Sequence, residues 1–217
     1  MHRVGTDGVL LGAWASAINT KDILDIGTGT GVIALMLAQR TDAEITAIEP
    51  DREAFSIATE NFESSTFHKR IQTFHTPLQS FNTGKKFDLI VCNPPFFENS
   101  LKPPTTNRQQ QRHTDSLSQI ELLEHARRLL APKGKLAVVL PSAEGNRFME
   151  HALMSNLFVD RACAVYSKVG KPQERWLLQF ANVNVLEKKQ TTLHIMDAQG
   201  QWMEEYKTLT RDFYLNL

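Results

Sequence analysis

The sequence predicts an α/β fold, a mostly parallel β-sheet with helices on both faces. Three observations carry this. Short apolar runs such as Phe87-Asp88-Leu89-Ile90-Val91-Cys92 alternate with helical patterns along most of the 217 residues, which implies parallel strands joined by right-handed crossovers. A glycine-rich turn, Gly27-Thr28-Gly29-Thr30-Gly31, separates the first strand from the first helix after it. The fourth strand runs into Asn93-Pro94-Pro95-Phe96, and prolines, lacking an N–H, cannot extend a ladder. In such sheets ligands bind beyond the carboxyl ends of the strands.

The elements follow in order. Ile23 to Ile26 is a short apolar strand, and Val32 to Gln39 reads as helix behind the glycines. A second strand ends at Glu49, and the helix after it keeps Phe55, Ile57, Ala58 and Phe62 roughly on one side. The segment Arg70 to Leu78 is a third strand and Phe87 to Cys92 a fourth. The next helix is capped by Ser116 or Ser118 and stopped by Pro132 and Gly134. Lys135 to Pro141 is a fifth strand, then comes another helix, then a closing pair of strands, Phe158–Val169 and Arg175–Val183. The chain ends as strand (Thr192 to Asp197), turn at Gly200 and helix. No repeat or linker interrupts it, so one domain over residues 1–217 is expected.

Bulk numbers narrow the classes. Net charge is zero, against a strongly basic nucleic-acid scaffold. The charge is uneven, however: Lys102, Arg108 and Arg112 fall in a stretch ending at His113 that holds no acid. No apolar run approaches the roughly 20 residues that span a bilayer. The two cysteines, Cys92 and Cys163, lie far apart, and the scattered histidines have no metal-ligand spacing. A reduced cytoplasmic setting, with no metal and no membrane, is expected.

The glycine loop is the first chemical motif. Glycines permit a tight turn and close approach of backbone to ligand, with a helix N-terminus behind. An acid ending the second strand, here Glu49, can accept both hydroxyls of a ribose. The bland alternative is a generic strand-to-helix turn. The dinucleotide fingerprint is G-x-G-x-x-G; here the spacing is G-x-G-x-G with Asp25 two residues ahead. That pattern resembles the first motif of class I methyltransferases that use S-adenosylmethionine, and NAD is the weaker reading. The resemblance implies a Rossmann-like, seven-stranded sheet with an antiparallel closing strand. It places Asp25, Gly27, Gly29, Gly31, Glu49 and Asn93 at the cofactor.

Asn93-Pro94-Pro95-Phe96 resembles the motif of methyltransferases acting on planar amino groups. Such an amine is a poor nucleophile because its lone pair is delocalised. Asn93 Oδ1 and the Pro94 carbonyl can each accept one N–H, which favours a pyramidal nitrogen aimed at the methyl group. Pro95 stiffens the loop. Phe96 offers a face for the target ring, which must leave its stack to enter. The alternative is a rigid turn after a core strand.

Two further segments are telling. Arg3 to Ala15 contains Val4-Gly5-Thr6-Asp7-Gly8, and Thr105 to Leu123 contains Arg108, Arg112 and His113. With Asn93-Pro94-Pro95-Phe96 and the closing Tyr206 to Leu215, they resemble bacterial tRNA methyltransferases that make N6-methyladenosine at position 37 of tRNA-Val, beside the anticodon. The resemblance covers nearly the whole chain. It implies Thr6 and Asp7 beside the methionine part of S-adenosylmethionine, although Asp7-Gly8 is also a good turn pair. It implies a tRNA partner, held by Arg108, Arg112 and His113, with Lys168, Lys171 and Arg175 as a second basic stretch. A monomer is expected. The sequence departs from the class at Pro77, where an acid would take the cofactor's adenine; the Leu78 backbone N–H or Thr76 then takes that role. Relatives also begin with a segment ahead of Val4-Gly5-Thr6-Asp7-Gly8, so a shortened N-terminus is expected. Ribosomal-RNA guanine N2 and release-factor glutamine present the same planar amine, and a binding module without turnover is a third reading.

Overall fold

The computed structural model describes residues 5–94, 117–184 and 187–214. Eight strands form one sheet: β1 (Asp22–Ile26), β2 (Glu44–Glu49), β3 (Ile71–His75), β4 (Phe87–Cys92), β5 (Leu130–Pro141), β6 (Phe158–Lys168), β7 (Arg175–Ala181) and β8 (Lys189–Met196). Their order is β3-β2-β1-β4-β5-β7-β6-β8. Strand β7 pairs antiparallel with both β5 and β6, and every other pairing is parallel. The seven-stranded sheet with its antiparallel closing strand is therefore present, and β8 is an eighth strand added at its edge beside β6.

Strand alternation sends side chains to two cores. Ile23, Ile45, Leu89, Val91, Val139 and Val165 pack on one face, against α1 (Thr6–Trp14), α2 (Val32–Arg40), α3 (Arg52–Glu63) and α6 (Glu204–Thr210). Leu24, Ile26, Ile90, Cys92, Val138 and Leu140 pack on the other, against α4 (Gln119–Leu129) and α5 (Ser142–Met154). Helices thus cover both faces, as expected. Helix α4 starts with a capping box in which Ser118 and Glu121 satisfy each other's backbone N–H groups; Ser116 lies outside the described residues.

Two local readings change. Ala131 to Gly134 belongs to β5 rather than to a helix stop. The register of β4 on β5 shifts there, and a Cβ on Gly134 would meet the Phe87 carbonyl at 2.6 Å, so glycine lets the strands touch. More consequential is α1. The Asp7-Gly8 pair does not make a turn; it opens a buried helix. Gly8 and Gly12, one helical turn apart, face α2: a Cβ would lie 3.2 Å from Val32 and 2.7 Å from the Met36 sulfur. Glycines that read as turn signals are here the surface by which two helices meet closely.

Candidate active site

Pairing register builds the site. Ile26 at the end of β1 pairs with Ile48 of β2 and with Cys92 of β4. The next residue of each strand emerges in a row at the carboxyl edge: Glu49, Gly27 and Asn93. Residues far apart in sequence meet there because parallel strands end together.

The glycine loop is fixed from beneath. The Gly27 and Thr28 amides donate to the Ile48 carbonyl at 2.9 and 3.1 Å. Gly27, Gly29 and Gly31 adopt φ of 66°, 58° and 85°, a region that side chains disfavour. A Cβ on Gly27 or Gly29 would meet nothing within 4 Å, so both present bare backbone to open space. Gly31 differs: a Cβ there would sit 2.5 Å from the Phe62 ring. The first two shape a cradle, and the third lets Phe62 of α3 pack against it.

Two acids flank the cradle. Glu49 accepts the Gly29 amide on Oε2 at 2.8 Å and the Asp51 amide on Oε1 at 2.9 Å. Each carboxylate oxygen keeps a second lone pair, so Glu49 can still accept ribose hydroxyls. Asp25 is fully buried; its Oδ2 accepts the Thr28 hydroxyl at 2.6 Å, and its Oδ1 has no hydrogen-bond partner. Burial pushes its carboxyl up from 3.8 to about 7, the Glu49 charge pushes the same way, and the Thr28 hydrogen bond only partly opposes them. After β3, the Thr76 amide donates to the Glu49 carbonyl at 3.1 Å. Leu78 follows in a short 3-10 turn with its side chain buried. The unoccupied lone pairs of Glu49, the bare glycine backbone and the unpartnered Asp25 oxygen fit a cationic, ribose-bearing cofactor such as S-adenosylmethionine.

Beyond the cradle a cavity of about 890 Å³ is lined by Thr6, Asp7, Asn93 and Pro94. Asp7 also binds Arg175, Oδ2 to Nε, at 2.9 Å. Arg175, read from sequence as a possible RNA contact, is therefore ion-paired inside this wall. Lys168 ends β6 and Lys171 lies in the turn to β7. Pro95, Phe96, Arg108, Arg112 and His113 lie outside the described residues. Sequence reading assigned no site role to Ile195, Met196, Trp202, Tyr206 or Tyr214, which also line the cavity. Their signals were a cluster of aromatics near the C-terminus, which reads equally well as core, and the family resemblance of the closing Tyr206 to Leu215 segment, which assigned no role to either tyrosine. Among the described residues no group of three or more histidines, cysteines or acids is placed to hold a metal ion.

This fold, with a glycine cradle and an acid at the next strand end, defines a class I methyltransferase that uses S-adenosylmethionine. A family model described as the methyltransferase small domain matches residues 5–168. A tRNA1(Val) (adenine(37)-N6)-methyltransferase from Parabacteroides distasonis is 43% identical over 217 residues, which is 99% of this chain and 92% of that protein. Among solved structures, one from Agrobacterium tumefaciens described as a predicted O-methyltransferase superposes with a TM-score of 0.69 at 17% identity, covering 95% of this chain and 96% of that one. The glycopeptide N-methyltransferase MtfA, solved with S-adenosyl-L-methionine, gives 0.60 at 13% identity over 82% of this chain and 88% of that one. The chain belongs to the tRNA1(Val) (adenine(37)-N6)-methyltransferase family, within the methyltransferase small domain group.

Proposed function

We propose that this enzyme transfers a methyl group from S-adenosylmethionine to the exocyclic N6 of adenosine 37 of tRNA-Val, beside the anticodon. The observation that carries the reading is the placement of Asn93-Pro94 in line with Gly27 and Glu49 at one sheet edge, with Asn93 and Pro94 opening on a cavity beside the cradle.

When bound, S-adenosylmethionine supplies an electrophilic methyl carbon on a sulfonium. The chain's own residues position everything around it. The bare backbone of Gly27 and Gly29 lets a ligand lie close, and Glu49 accepts ribose hydroxyls. Asn93 Oδ1 and the Pro94 carbonyl accept the two hydrogens of the target amine. That draws the nitrogen lone pair out of conjugation and toward the methyl carbon, so positioning and fixed dipoles supply the catalysis. Pro94 is buried, which keeps its carbonyl from swinging away. The reading requires no metal. It includes a single domain acting as a cytoplasmic monomer on tRNA. Among the described residues no helix is long and apolar enough to cross a membrane.

The test uses labelled S-adenosylmethionine with unmodified bulk tRNA and, separately, ribosomal RNA, followed by digestion and mass spectrometry of the nucleosides. N6-methyladenosine from tRNA, mapped to position 37, is expected. N2-methylguanosine from ribosomal RNA would replace the acceptor while keeping the Asn93 chemistry.

A further inference from the structure

The far wall of the cavity lies outside the stretch that the methyltransferase small domain covers. That stretch ends at residue 168, whereas Met196, Trp202, Tyr206 and Tyr214 line the same space as Asn93. Strand β8, helix α6 and the segments beside them supply this wall.

Trp202 is the most constrained part of this wall. Its backbone bridges to Met196. The turn before it is tied by Asp197, whose Oδ1 accepts the Gln199 and Gln201 amides at 2.8 and 2.9 Å. The indole stacks on Tyr206, centroids 5.2 Å apart and planes at 22°. Tyr206 is buried beneath it, and its hydroxyl donates to the Tyr214 hydroxyl at 3.4 Å. Yet Trp202 remains 40% exposed. One face of a large ring is thereby fixed from behind while much of it stays open. An aromatic serving only the core would be covered on both sides. Such a face, in a cavity shared with amine acceptors, matches the π-face of a nucleobase, because base–aromatic stacking is favourable for every base.

We propose that Trp202, backed by Tyr206, is a stacking platform for an unstacked base of the RNA acceptor, and that it favours a nucleotide over a glutamine side chain at this site. The inference rests on the tRNA reading above and deepens it.

The test compares wild type with Trp202→Phe and Trp202→Ala. Unmodified anticodon stem-loop RNA is titrated in the presence of S-adenosylhomocysteine, with steady-state methylation of unmodified tRNA measured alongside. Wild-type indole fluorescence should be quenched on RNA binding, and Trp202→Phe should lose that quenching although Trp14 and Trp176 remain. Trp202→Ala should raise the RNA Kd and the tRNA KM about 5- to 150-fold, and Trp202→Phe should recover most of the loss. The Kd for S-adenosylmethionine should stay within about twofold in both. If wild type methylates tRNA while Trp202→Ala leaves KM unchanged, the platform alone is overturned. If wild type neither binds nor methylates tRNA, the tRNA reading fails and the platform with it. Should Trp202→Ala fold poorly, Trp202→Phe decides: quenching that survives in it overturns the proposal.

Discussion

Asp7 and Arg175, 168 residues apart in sequence, are joined by a 2.9 Å ion pair in the wall of the cavity that holds Asn93. The pair fastens the first turn of α1 to the first residue of β7. An element that precedes the sheet in sequence is thereby locked over the sheet's carboxyl edge.

The pair is partly exposed, so its own contribution to stability should be modest, about 1 kcal/mol or less. Asp7→Asn should therefore lower Tm only slightly. If the carboxylate also meets the cationic end of S-adenosylmethionine, the cofactor Kd should rise about tenfold, the scale of one hydrogen bond to a charged group. Calorimetric titration beside thermal melts checks this. A large fall in Tm with an unchanged Kd would confine Asp7 to the fold.

Asn93→Ala removes one of the two proposed amine acceptors and nothing from the cradle. Loss of a single preorganised hydrogen-bonding group at a reacting centre costs about 10²- to 10³-fold in kcat. That loss is expected here, with S-adenosylmethionine affinity unchanged within about threefold. Single-turnover assays and equilibrium binding separate the two. Equal loss of both would move Asn93 from the reaction to the cofactor.

Gly31 and Gly29 should respond differently to alanine, although both have positive φ. Gly31→Ala forces a methyl onto the Phe62 ring, adding a steric clash to the roughly 1–2 kcal/mol of left-handed strain. Gly29→Ala meets no protein atom, so it should cost only that strain while weakening cofactor binding. Urea melts and cofactor titration on the two variants test the contrast. Equal destabilisation would mean that the Phe62 contact relaxes freely.

Asp25 gives a pH dependence with a definite sign. Its carboxyl is raised, chiefly by burial, from 3.8 to about 7 in the folded chain. The stability this confers is fully present below about pH 3.8 and is lost as pH rises through about 7. In the ligand-free protein, wild type should therefore lose stability relative to Asp25→Asn across that window. The size is on the order of 4 kcal/mol, at 1.36 kcal/mol per unit. Denaturant melts of both proteins through the window measure the difference; one that stays flat would show that Asp25 is ionised and accommodated.

The cradle was legible in the sequence because its requirements are local. Gly27, Gly29 and Gly31 are needed for positive φ, and that need is written in the residues themselves. Glu49 and Asn93 were legible for a related reason: Glu49 ends one apolar strand and Asn93 follows another, and parallel strands end at one edge. Helix α1 was not legible. Gly8 and Gly12 carry turn-like chemistry, and only the nearness of Val32 and Met36 shows that they are there to let helices meet. Arg175 was grouped with Lys168 and Lys171 because neighbours in sequence suggested a basic patch, whereas the sheet brings it to Asp7.

The sequence by itself determined the layered α/β architecture and the pair of motifs that meet at the glycine edge, since periodicity and backbone conformation act over a few residues. Tertiary structure alone decided what encloses that edge. The pairing of β8 with β6, the placement of the Trp202–Tyr206 stack in the cavity that Asn93 lines and the Asp7–Arg175 pair depend on contacts between segments far apart in the chain. An aromatic or an arginine carries no mark of which distant surface it will meet, because burial and ion pairing reward proximity, however the chain achieves it.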